Sequence, residues 1–165
     1  MFNLYLSGII KEGDNISSMK SLNNDYNIIF KRQESMLWYT DESLKYLCKI
    51  IFKNNLDIEV FNIITSEIDM FILIDNIFQF LDSNLNNTIV PIVSNKLINF
   101  NIVLKRNLDK IYFIIEERNN QINLIFERIK IEFNEDTLLE FANKIYFTFL
   151  IDIDNRVDSY YDFYS

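Results

Sequence analysis

The chain has 165 residues, with twenty-four acidic and sixteen basic side chains, a net charge of −8, no histidine, one cysteine (Cys48), one proline (Pro91) and two glycines (Gly8, Gly13). Without histidine there is no Ser-His or Cys-His nucleophile pair, no imidazole acid/base and no standard zinc site, and two glycines five residues apart give no phosphate-cradling loop. An apolar fraction of 49% and an aromatic fraction of 15% supply the core of a single globular domain spanning residues 1–165, and a lone cysteine makes no internal disulfide.

Phe2, Leu4 and Leu6 alternate with Asn3, Tyr5 and Ser7, which predicts a strand with one buried face, closed by Gly13-Asp14-Asn15. Ile16 to Asp25 is polar and reads as loop. Tyr26–Lys31 and Met36–Tyr39 read as short strands, joined as a hairpin across Arg32–Ser35. Thr40-Asp41 offers an N-cap, and Leu44, Leu47, Cys48 and Ile51 follow at helical spacing, which predicts a helix over 42–53. Leu56 to Ile64 reads as a strand with Leu56, Ile58 and Val60 on one face. Ser66, with Asp69 three residues later, predicts a capped helix over 67–83, whose face holds Met70, Leu73, Ile74, Ile77 and Leu81.

Thr88–Val93 contains Pro91, which has no amide to donate, so it is expected at a sheet edge. A three-stranded meander follows over 97–133. Its middle strand turns Ile111, Phe113 and Ile115 inward. In Ile122–Phe133 the apolar phase changes from Ile122, Leu124 and Phe126 to Ile129, Ile131 and Phe133, and such a slip predicts a β-bulge between Ile125 and Arg128. Asn134 or Asp136 caps a helix over 136–151 with Leu138, Phe141, Ala142, Ile145 and Phe149 on its face. The predicted fold is α+β, a largely antiparallel sheet covered by two or three helices.

The acidic, aromatic tail 152–165 carries Asp152, Asp154, Asp158 and Asp162 among Tyr160, Tyr161 and Tyr164. It opens like a calcium loop, but Val157 stands where glycine is needed and Phe163 where glutamate is needed, so no metal is expected. Carboxylates interleaved with tyrosines instead suit a protein-binding surface. Glu116 and Glu117 are further candidates for that surface, and would supply half of a general acid/base pair if the chain did chemistry of the glycosidase kind. Cys48 lies on an apolar stripe and reads as core rather than nucleophile. Trp38 reads as packing. Lys105, Arg106 and Lys110 make too small a basic cluster to suggest nucleic acid. No catalytic residue and no cofactor is expected. Nor is a signal peptide or a membrane span, since no stretch reaches 18 apolar residues; the expected location is cytoplasmic.

In size, acidity, α+β pattern and missing catalytic set, the chain resembles the immunity proteins encoded beside bacterial polymorphic or contact-dependent inhibition toxins. That resemblance implies a non-enzymatic protein that neutralises a cognate toxin, a basic nuclease domain, through its acidic surface, with no direct nucleic-acid partner and no membrane. Two alternatives stand beside it. One is a self-associating structural or regulatory subunit of phage or plasmid origin; the other is an enzyme that works with carboxylates.

Overall fold

Alternating apolar and polar side chains build most of the chain into strands, and the computed structural model describes residues 15–34, 46–93, 98–119 and 121–151. The first sheet has the order β1 (Ile16–Lys20), β2 (Tyr26–Glu34), β3 (Tyr46–Asn54), β4 (Glu59–Ser66), and every neighbouring pair is antiparallel. Helix α1 (Glu67–Asp82) follows directly. The second sheet, also antiparallel throughout, has the order β5 (Asn87–Val93), β6 (Ile98–Asn107), β7 (Lys110–Asn119), β8 (Leu124–Phe133). Helix α2 (Glu135–Ile145) then runs into a π-helical turn, Tyr146–Leu150. The α+β class is therefore as expected, with two four-stranded sheets in place of one.

The second sheet follows its sequence closely. Ile111, Phe113 and Ile115 are fully buried, β5 with Pro91 lies at the edge, and the meander β6–β7–β8 spans the expected residues. The bulge is also present. Ile115 pairs with Ile129 but Glu116 pairs with Glu127, so Arg128 is the extra residue. Its guanidinium turns across to the other sheet, 5.7 Å from the Phe61 ring centroid, and lies 3.6 Å from the Glu117 carboxylate.

The first sheet corrects four expectations. Residues 46–53 form strand β3 rather than a helix: Cys48, Ile50 and Phe52 are buried, while Leu47 and Ile51 point to the opposite face. Those two outward apolar residues, added to the inward set, imitate helical spacing. Ile16–Lys20 is not loop but edge strand, held by its ladder to β2. The chain does not turn at Arg32 as the expected hairpin requires, because β2 continues through Glu34 and its partner is β3. In β4 the buried set is Phe61, Ile63 and Thr65, while Leu56, Ile58 and Val60 are exposed. Phe52 pairs with Phe61 and Lys53 with Glu59, so Val60 is an extra residue that reverses the phase read from the sequence. The predicted strands Phe2–Leu6 and Met36–Tyr39, Trp38 and the tail lie outside the described residues.

One apolar cluster joins everything. The sheets meet through Phe52 and Phe113 (centroids 6.2 Å apart) and through Phe61 and Phe100 (5.3 Å, edge-on). Helix α2 inserts Phe141 between them, 5.0 Å from Phe113 and 5.4 Å from Phe30. Edge-to-face rings of this kind add to the burial of their area. Both helix starts are capped as their sequences require. Ser66 accepts the Asp69 amide at 3.3 Å, and Asn134 and Thr137 form a reciprocal capping box. Arg106 ties the two helices together: it donates to the Phe80 carbonyl in the last turn of α1 (3.1 Å), lies over the Phe80 ring and pairs with Glu135 at the start of α2 (2.7 Å). Among the described residues no helix is long and apolar enough to cross a membrane.

Candidate functional site

The face of the first sheet turned away from the helices and the second sheet carries most of its side chains half-buried or exposed. Pairing register places them in rows across the four strands. Ile16, Lys31, Lys49 and Ile64 form one row; Ser18, Ile29, Ile51 and Asn62 form the next; Lys20, Asn27, Lys53 and Glu59 form the third. Four lysines thus share one flat face with isoleucines between them, while the chain as a whole is strongly acidic.

The lysines are poorly neutralised. Lys53 has a carboxylate partner, Asp57, at 3.6 Å. Glu59 is engaged by the Asn62 side-chain amide at 3.1 Å. Lys20, Lys31 and Lys49 have no carboxylate partner among the described residues. Lys31 and Lys49 stand directly opposite each other, an arrangement that costs stability in an antiparallel pair. A face built this way favours a polyanion laid along it. Sequence reasoning missed the face because its lysines are far apart in the chain. The signal was the parity of Lys49 and Lys53 against Cys48, Ile50 and Phe52, legible once that segment is taken as a strand.

Glu116 and Glu117 do not form one site. They are successive residues of β7 and so belong to opposite faces of the second sheet; Glu117 turns inward to Arg128, while Glu116 faces outward. Asp152, Asp154, Asp158, Tyr160, Tyr161, Asp162 and Tyr164 lie outside the described residues. Among the described residues no group of three or more His, Cys, Asp or Glu side chains is placed to hold a metal ion.

A buried polar row crosses the inner side of the same sheet, where Arg32 pairs with Cys48 and Cys48 with Thr65. The first turn of α1 brings Glu67, 1% exposed, and Asp69, whose carboxylate accepts the Thr65 hydroxyl. Burial pushes the Cys48 thiol up from its ordinary pKa, and nearby Glu67 pushes it further, with Arg32 acting in the opposite sense. Such a thiol is no nucleophile.

No protein-family model matches the chain, and no curated protein matches it in sequence. Solved structures do match in shape. The chain shares its fold with WHY3 and WHY1. WHY3 from Arabidopsis thaliana aligns over 87% of this chain and 92% of its own, with 9% identity and a TM-score of 0.52. WHY1 from Arabidopsis thaliana aligns over 89% of this chain and 90% of its own, again with 9% identity and a TM-score of 0.50. The plant transcriptional regulator PBF-2 is also similar, with 9% identity over 88% of this chain and 86% of its own and a TM-score of 0.49.

The fold shared with WHY3 and WHY1 overturns the expectation of a toxin-neutralising immunity protein. The basic toxin as partner is withdrawn with it. The exclusion of nucleic acid is corrected as well. It rested on net charge and on one local cluster, and the folded chain gathers lysines that the sequence scatters.

Proposed function

We propose that this chain is a non-enzymatic binding protein for single-stranded nucleic acid, with the outer face of the first sheet as its platform. The observation that carries this reading is the in-register pair Lys31 and Lys49, flanked by Lys20 and Lys53 on a face whose other side chains are apolar, hydroxyl or amide apart from Glu59. Lysines there neutralise phosphates, and Ile29 and Ile51 between them give the bases an apolar floor. A four-stranded surface suits a strand laid across it and, among the described residues, offers no element to enter a duplex groove. No aromatic ring lies in these rows, so the reading predicts little sequence preference and strong salt dependence. Four phosphate contacts correspond to a slope of about −3 in log affinity against log salt. A cytoplasmic location belongs to the same proposal.

Anisotropy of a fluorescein-labelled twenty-nucleotide oligothymidine tests it. The wild-type chain binds at low salt, and the double variant Lys31→Glu, Lys49→Glu binds at least tenfold more weakly while its circular dichroism is unchanged. Equal binding by the two, or no binding by the wild type, removes the proposal.

A second reading, self-association, is favoured by α1. Its inward residues Met70, Leu73 and Ile77 are buried, yet Ile68, Ile72 and Phe78 on its other side are 57%, 45% and 36% exposed. Apolar side chains exposed together on one helix side, here with Asp75 and Gln79 among them, make a surface that a second copy can cover. Sedimentation equilibrium tests this reading: a wild-type oligomer that Ile72→Glu converts to monomer supports it, and a wild-type monomer at 100 micromolar (about the top of the usable range) rejects it.

A further inference from the structure

The four sheet edges differ in how they are protected. Edge strand β5 carries Pro91, β8 carries the bulge at Arg128, and β4 carries the extra residue Val60. These devices discourage another strand from pairing. Edge strand β1 has no proline and a regular ladder throughout.

Its hydrogen-bond phase is fixed by the Arg32 amide, which donates to the Asn15 carbonyl at 2.7 Å, and the Ser21 amide, which donates to the Tyr26 carbonyl at 3.0 Å. Alternation along an antiparallel ladder then gives Ser17 and Met19 to β2 and turns the amides and carbonyls of Ile16, Ser18 and Lys20 outward.

Beside β1 runs a cleft of about 420 Å³. One wall is Ser17. The other is the exposed side of α2 and its π turn, with Asp136, Leu139, Glu140, Asn143, Lys144 and Phe147. Ser17 and Thr148 close the floor through a 2.6 Å hydroxyl contact. Neither Asp136 nor Glu140 has an ion-pair partner among the described residues, and Leu139 and Phe147 are 42% and 54% exposed. A strand edge with no partner among the described residues, beside a helix, is the geometry in which an extended peptide adds as a further strand.

We infer that the groove between β1 and α2 takes an extended segment of a partner protein, paired to the edge of β1, with a basic side chain toward Asp136 and Glu140 and an apolar one two residues on toward Leu139 and Phe147. Two carboxylates against the single ammonium of Lys144 select the basic residue, and the period of two along a strand places both side chains in the groove. This site is separate from the lysine face, which belongs to the opposite side of the sheet.

The probe is a fluorescein-labelled octapeptide in which threonine alternates with lysine and valine. Its anisotropy is followed against the full chain, and amide exchange is followed by NMR. Bound peptide is expected to protect the Ile16, Ser18 and Lys20 amides. Ser18→Pro removes one outward amide without touching the ladder to β2, and is expected to weaken binding at least tenfold; Asp136→Asn with Glu140→Gln is expected to weaken it at least fivefold. No binding, protection elsewhere, undiminished binding by Ser18→Pro, or protection of the three amides by a second copy of the chain before peptide is added would each overturn the inference.

Discussion

Lys31 of β2 and Lys49 of β3 stand opposite each other in direct register, and neither has a carboxylate partner among the described residues. Like charges placed this way cost roughly 0.2–1 kcal/mol. Lys49→Gln is therefore expected to raise stability by about 0.5 kcal/mol in urea unfolding at low ionic strength. The gain should shrink as salt is added. A loss of stability would mean that the pair has a partner on the folded chain.

Arg106 joins the end of α1 to the start of α2. Arg106→Ala removes a charged hydrogen bond to the Phe80 carbonyl, the contact with its ring and the ion pair with Glu135. The expected cost is about 2 kcal/mol, most of it from the hydrogen bond, because Glu135 is largely exposed. In a domain of this size that is a fall of roughly 4–8 °C in melting temperature. Arg106→Lys should recover only part of it, since an ammonium cannot reach both partners as a fork does.

Leu108 occupies the two-residue turn between β6 and β7 with φ at +59°, and is 90% exposed. A branched side chain in that region is strained by roughly 1–2 kcal/mol, and the first position of such a turn favours glycine. Leu108→Gly is expected to stabilise the chain by about 0.5–1 kcal/mol, read from the urea midpoint. A lower midpoint would show that the leucine makes a contact worth more than the strain.

Cys48 has consequences for pH. Burial, reinforced by Glu67 and opposed by Arg32, raises its folded pKa above the ordinary 9.0. The folded chain therefore keeps the thiol protonated where the unfolded chain has lost the proton. The stabilisation is complete below about pH 9 and is lost as pH rises above it, with a slope of about 1.4 kcal/mol per unit from this group. Ellman's reagent at pH 8 should label the thiol only as fast as the chain unfolds. Immediate labelling of the folded protein would contradict the burial.

How much was legible in the sequence depends on whether a strand has one apolar face or two. In β7 the inward residues Ile111, Phe113 and Ile115 contrast with polar neighbours at Tyr112 and Glu116, and the strand reads at sight, as does the bulge in β8. In β3 the outward Leu47 and Ile51 blur the contrast, and the residues fall into helical spacing instead. Strand β1 has too few apolar residues to announce itself, and pairing with β2 makes it a strand. The helices read well because Ser66 and Asn134 mark their starts. The lysine face depends on register, which joins residues 20, 31, 49 and 53 across three strands, and its only local trace in the sequence is the parity of Lys49 and Lys53 within β3.

Four of the sixteen basic residues share one side of the first sheet in a chain carrying −8, so that side is locally positive against an acidic whole. Its net charge repels a polyanion at long range, but the torque of the same field turns the positive end forward as the two approach. Association should therefore be slow in onset and uniform in orientation, and on a chromatography column this acidic protein should be retained by both anion and cation exchangers at neutral pH.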